Sequence, residues 1–141
     1  MIPRSTVRTA PDIARHPIHL GRGGTAAVEP AFTGTLDWYQ KYSVHHACGS
    51  TEGRLVSMFT FGASWDMWEM HPDGRELVLC TLGILILHQE TPNGGRRTIC
   101  LSPGEYAINE PGTWHTADAP TAATVVFITS EWGTEHRPRS R

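Results

Sequence analysis

At 141 residues the chain is one domain's worth, long enough to bury roughly two-thirds of the surface its unfolded form exposes. Its formal charge is −2, and the basic residues gather mainly in the first 25 positions and the last five, which leaves no sustained basic face and argues against nucleic acid as a partner. No stretch approaches the roughly 18 consecutive apolar residues of a membrane span, and Met1-Ile2-Pro3-Arg4 lacks the apolar run of a secretory signal, so the expected setting is cytoplasmic with no membrane partner.

Fourteen Gly and ten Pro, spread between short apolar runs, fit an all-β chain of short strands and many turns. Residues 1–30 carry Pro3, Pro11, Pro17 and Pro30 and the Gly21-Arg22-Gly23-Gly24 stretch, which together break regular structure. They read as an extended N-terminal arm whose Ile13, Ile18 and Leu20 supply apolar surface to lie on a sheet, a partner subunit's included. That favours a homodimer. The barrel proper is expected over 31–132. Leu36-Asp37-Trp38-Tyr39-Gln40-Lys41-Tyr42 is aromatic-rich and reads equally as a strand or a short helical turn.

From residue 54 the pattern is strand after strand. Leu55 to Phe61 and Ser64 to His71 are expected strands, followed after a turn by Leu77 to Leu82. Gly83 marks a bend before Ile84 to His88, and Pro92-Asn93-Gly94-Gly95 is the plainest hairpin turn, from which Arg96 to Leu101 pairs back. Tyr106 to Asn109 is a short strand and Thr124 to Thr129 a β-branched and aromatic closing strand. Residues 133–141 are expected as a frayed C-terminal tail. Cys48, Cys80 and Cys100 are odd in number and contain no Cys-x-x-Cys, which reads as free thiols in a reducing compartment.

Two segments carry the chemistry. In Glu69-Met70-His71-Pro72-Asp73-Gly74-Arg75-Glu76, alternation along a strand puts Glu69 and His71 on one side, and the Pro-Asp-Gly turn brings Glu76 back beside them. In Glu110-Pro111-Gly112-Thr113-Trp114-His115, a turn delivers His115. Glu69, His71, Glu76 and His115 together are two carboxylates and two imidazoles, a donor set suited to Zn, Mn, Fe or Ni. The alternatives are histidines satisfied by backbone inside a barrel, and a Glu69 paired with Arg54 or Arg75 at the rim. Met58, Met67 and Met70 read as core filler, Trp68 as pointing away from Glu69, and Glu105 and Glu110 as turn-associated surface charges. His45-His46 is either solvent-exposed or at a pocket mouth, and Tyr106 either surface or a pocket proton donor.

These segments resemble the two motifs of the cupin superfamily. The first runs Gly, five residues, His-x-His, three or four residues, Glu, six residues, Gly; His71, Glu76 and Gly83 match its second His, Glu and closing Gly, while Glu69 stands at its first His and Gly62 lies one position early. The second runs Gly, five residues, Pro-x-Gly, two residues, His, three residues, Asn, and maps onto Gly104, Gly112, His115 and Ala119, with Glu110 in place of Pro and Ala119 in place of Asn. The resemblance, over roughly residues 55–130, implies an antiparallel double-stranded β-helix, a jelly-roll barrel with a metal inside. It further implies a metal-dependent enzyme of oxygenase, isomerase or lyase type acting on a small oxygen-bearing molecule, or a non-catalytic small-molecule-binding cupin.

Overall fold

The β-segments are short and flanked by Gly or Pro, and among the described residues they form eleven antiparallel strands beside one α-helix and a 3-10 turn at Arg22–Gly24. The computed structural model describes residues 8–47 and 52–140; Cys48 and the outermost parts of the arm and tail lie outside them. The strands are β1 (Ile18–Leu20), β2 (Ala26–Val28), β3 (Arg54–Phe61), β4 (Met67–Met70), β5 (Glu76–Leu82), β6 (Leu85–Glu90), β7 (Arg96–Leu101), β8 (Tyr106–Asn109), β9 (His115–Asp118), β10 (Ala123–Thr129) and β11 (Glu135–Pro138). They form a six-stranded sheet in the order β2-β1-β3-β10-β5-β8 and a five-stranded sheet in the order β11-β4-β9-β6-β7.

Three readings of the sequence are refined. The ambiguous aromatic stretch is a helix, α1 (Leu36–His45), because Thr35 caps it by accepting from the Trp38 amide, and Trp38 and Tyr42, one turn apart, are buried together. Part of the N-terminal arm, 18–28, is the β1–β2 hairpin on the β3 edge of its own sheet. The tail does not fray: β11 pairs with β4, and Arg139 donates to Asp118 Oδ1 at 2.8 Å and to the Trp65 carbonyl at 2.9 Å. No periodicity over four residues announces that strand; it is held by partners far away in sequence.

The turns follow the chemistry read from the sequence. Pro92–Gly95 closes the β6–β7 hairpin with Gly94 at φ 83. Gly83, at φ 74, has no room for a side chain, since a Cβ there would run into the Ala122 carbonyl.

Inward-facing positions are layered. One layer holds Cys80, Leu85, Ala119 and Val125, and the next holds Val78, Leu87, Ala107, Ala117 and Phe127, all buried in one apolar cluster. A second cluster of Trp38, Tyr42 and Leu55 seats α1 on the six-stranded sheet. At the end of the barrel the same inward positions turn polar: Glu76 on β5, Gln89 on β6, Asn109 on β8, His115 on β9 and Thr129 on β10 are all buried. Buried polar groups are tolerated only where they satisfy one another or a ligand.

Candidate metal centre

The polar layer is built by register. Glu76 pairs with Asn109, Gln89 with His115, and Glu69 with His115. The sheets thus bring carboxylates and imidazoles from β4, β5 and β9 to one place, and His71, just past β4, joins them. His115 Nε2 lies 3.1 Å from Glu76 Oε1, and His71 Nε2 lies 3.2 Å from Glu76 Oε2. Glu69 Oε2 is 3.8 Å from both imidazole nitrogens. Ligand atoms of Glu69, His71 and His115 all fall within 4.8 Å of one another.

The far nitrogen of each ring decides what the near one can do. His115 Nδ1 sits 3.2 Å from the Thr113 carbonyl, which can only accept, so Nδ1 carries the proton. His71 Nδ1 is 2.9 Å from Thr134 Oγ1, whose own hydroxyl donates to the Glu131 carbonyl, so this Nδ1 is again the donor. In the neutral rings both Nε2 atoms therefore present lone pairs to the centre. Both are buried without a hydrogen-bond partner, because their approach to Glu76 is close but poorly directed. Two buried Nε2 atoms without a hydrogen-bond partner, beside a carboxylate, form a donor set that suits a divalent ion.

Glu76 is held rigidly. Asn109 Nδ2 donates to its Oε1 at 2.9 Å and Thr129 Oγ1 to its Oε2 at 2.6 Å, while Gln89 Nε2 donates to Asn109 Oδ1 at 2.7 Å and fixes that amide. Burial works against the Glu76 anion, but the adjoining His115 and His71 outweigh it and hold the carboxyl well below the usual range. For His71, burial opposes the charge and is outweighed by the Glu76 carboxylate, with Glu131 and Glu69 adding to it, so its pKa rises to about 9. Without an ion the centre is thus an imidazolium–carboxylate pair.

Several residues at the site were not marked by sequence spacing. His136 on β11 contacts Glu69 Oε1 at 3.2 Å, taking the role that Arg54 or Arg75 was expected to fill; Arg75 instead pairs with Glu110. Glu131 lies in the wall of the adjoining cleft; burial, then the neighbouring Glu69 and Glu76 against the pull of His71, push its carboxyl up to about 8. Tyr39 of α1 also faces that cleft, and burial with Glu131, Glu69 and Glu76 keeps its phenol protonated. Inward alternation along β10 points to Thr129; nothing local in the sequence points to His136 or Glu131. Tyr106 is 62% exposed on the outer surface, away from the cleft. His46 is not free: it contacts the buried Glu29 at 3.0 Å and stacks on His19. Trp68 does point away from Glu69, with the guanidiniums of Arg96 and Arg137 each 5.2 Å from its ring centroid.

A cleft of about 1210 Å³ opens from the centre, floored by Glu69, His71 and Glu76, walled by Phe59, Phe61, Trp65 and Phe127, and roofed by α1.

No protein-family model and no curated protein matches the chain. Solved structures do. The chain is similar to oxalate decarboxylase from Bacillus subtilis, an enzyme with Mn(II) centres, at 15% identity over 68% of this chain and 26% of that one, with a TM-score of 0.53. It is also similar to a cupin superfamily protein from Desulfitobacterium hafniense (18% identity, 55% of this chain, 66% of that one, TM-score 0.47) and to a cupin-2 domain protein from Shewanella frigidimarina (19%, 61%, 71%, 0.46). The chain thus spans about a quarter of the decarboxylase's length. An antiparallel double-stranded β-helix, with the polar layer inside one end and the decarboxylase barrel as its structural counterpart, makes this chain a protein of the cupin fold.

Proposed function

We propose that the protein is a metal-dependent cupin enzyme, of oxygenase, isomerase or lyase type, acting on a small oxygen-bearing organic molecule. Glu69, His71, Glu76 and His115 would hold a divalent ion of the Zn, Mn, Fe or Ni kind. The observation that carries this reading is the pair of buried Nε2 atoms with no hydrogen-bond partner, beside a carboxylate locked in place by Asn109 and Thr129. An ion held there supplies Lewis-acid or redox chemistry to an oxygen of the substrate.

The chain's own residues do the rest. Thr113 and Thr134 fix the tautomers, Gln89 and Asn109 fix the carboxylate, and His136 restrains the more exposed Glu69. Glu131, uncharged near neutral pH, and Tyr39 offer O–H groups to a molecule in the cleft. The free thiols of Cys80 and Cys100 support a reducing, cytoplasmic setting.

We further propose a homodimer through the outer face of the six-stranded sheet. Register places Val28, Ile18, Val56, Ile128, Leu77 and Ile108 in one unbroken cross-strand row, with Met58, Val126, Leu79 and Tyr106 in the next. Val28 is 60% and Ile108 46% exposed. Six strands at about 4.8 Å spacing make a face roughly 25 Å across, the scale of a standard patch of about 800 Å² per partner. The two rows carry no charge, so a second copy of the same face is their natural complement.

The first test is the metal content of protein purified without an affinity tag, beside His115→Ala and Glu69→Gln. Near one equivalent of ion in the wild type, lost in His115→Ala and reduced in Glu69→Gln, is expected. No ion even after reconstitution with Mn²⁺, Zn²⁺, Fe²⁺ and Ni²⁺ removes the enzyme reading and leaves a metal-free binding barrel.

A further inference from the structure

The cleft's lining is unusual in what its charges leave unpaired. Phe59, Phe61 and Phe127 come from adjacent strands of the six-stranded sheet and, with Trp65, form a continuous wall of stacked, tilted and edge-to-face rings 5.4 to 6.0 Å apart. The wall runs up to the proposed ligands, since the Trp65 ring lies 6.3 Å from that of His115. Among the described residues no Lys or Arg lines this cleft, whereas Asp66, Glu69, Glu76 and Glu131 do. The imidazoles of His71 and His136 are each matched by a carboxylate of their own, Glu76 and Glu69.

Charge counting then discriminates between ligands. A divalent ion bound by two carboxylates and two neutral imidazoles is formally neutral, so it offers an anionic group much less attraction than a site with one carboxylate fewer. Any carboxylate entering the cleft loses water, meets no guanidinium or ammonium, and faces Asp66. A flat apolar body gains the opposite way. Aromatic pairs in this geometry are worth about 0.5–1.5 kcal/mol each beyond the area they bury.

We infer that the cleft takes an uncharged aromatic molecule bearing a hydroxyl or carbonyl oxygen, its ring on the Phe59–Phe61–Trp65–Phe127 wall and its oxygen toward Glu69, His71, Glu76 and His115. This names the substrate class for the function proposed above, and rests on that reading only for the polar end of the molecule. The alternative source of a fit, a small anion such as a dicarboxylate, is disfavoured by the same lining.

The test uses 2-naphthol, 2-naphthoate and malonate as probes, titrated by calorimetry and tryptophan fluorescence against metal-free and Mn²⁺-loaded protein at pH 7. Naphthol should bind at least tenfold more tightly than naphthoate in both forms, and malonate should not bind the metal-free form. Phe59→Ala should weaken naphthol about tenfold; because that side chain packs on the core, Phe59→Leu, which keeps most of the apolar volume and removes the ring, is run beside it and should weaken binding at least threefold. Asp66→Lys, at the cleft wall, should narrow the discrimination by improving naphthoate about tenfold. Naphthoate or malonate binding as tightly as naphthol to wild type, or an unchanged naphthol affinity in Phe59→Leu, overturns the inference. Failure of the metal reading shows separately, as absence of Mn²⁺ uptake with naphthol binding intact.

Discussion

Glu76 couples the chemistry of the centre to the stability of the fold. Its Oε1 accepts from Asn109 and its Oε2 from Thr129, and an imidazole nitrogen lies close to each oxygen. With no ion bound, the His71 charge is stabilised by this carboxylate, and the sign of the pH dependence follows. A folded-state pKa of about 9 against an ordinary 6.5 contributes stability that is complete below pH 6.5 and lost as pH rises through about 9. The ceiling on that contribution is roughly 3 kcal/mol. Urea unfolding of metal-free protein should therefore show a decline between pH 6.5 and 9 that His71→Gln lacks. On the proposed ligation an ion would replace the proton on His71, which gives binding the opposite trend: affinity for Mn²⁺ should rise with pH up to about 9, and calorimetry in buffers of differing ionisation enthalpy should detect close to one proton released at pH 7. A flat affinity profile, with no proton released, would contradict the proposed ligation by His71.

At the scale of elements, connections do as much as strands. Gly83 joins β5 to β6 with a positive φ and with the Ala122 carbonyl where a Cβ would sit. Gly83→Ala should cost at least the roughly 1–3 kcal/mol of a strained backbone position, and more because backbone must move; thermal unfolding against Gly94→Ala, where the turn is open, separates the two terms. Local chemistry of this kind was legible in the sequence: the hairpin at 92–95, the alternation that sets Glu69 and His71 on one side, and the turn before His115 each state their own geometry. What was not legible is what comes from afar. Leu36–His45 is helical because the Thr35 cap and the packing of Trp38 and Tyr42 on Leu55 settle a sequence whose own preference is even. Strand β11 exists through its pairing with β4, and so brings His136 to Glu69 across a sequence distance that no spacing rule covers. Glu69, Glu76, His71 and His115 could be listed from motif and alternation, while Glu131, His136 and Tyr39 required the folded chain.

The whole molecule divides its two surfaces by task. The inner face of the six-stranded sheet walls the cleft, and its outer face presents the two apolar rows. Monomeric proteins seldom leave such a face to water. Ile108→Lys, at the exposed end of the first row, should convert a dimer into a folded monomer by light scattering with the circular dichroism spectrum unchanged. A wild type that is monomeric at 100 µM would remove this assembly. Because the cleft lies on the other side of the same strands, the monomeric variant should keep its ligand affinity.

The pairing of His136 with Glu69 also has a bearing on how the protein is made. All four proposed ligands precede residue 116, yet the side chain that steadies Glu69 lies on the last strand, after the closing strand of the barrel. Glu69 gains that restraint only once β11 has paired with β4. On the function proposed above, a chain cut before β11 would keep all four ligands and yet hold its ion less firmly, which metal titration of the shortened chain would read.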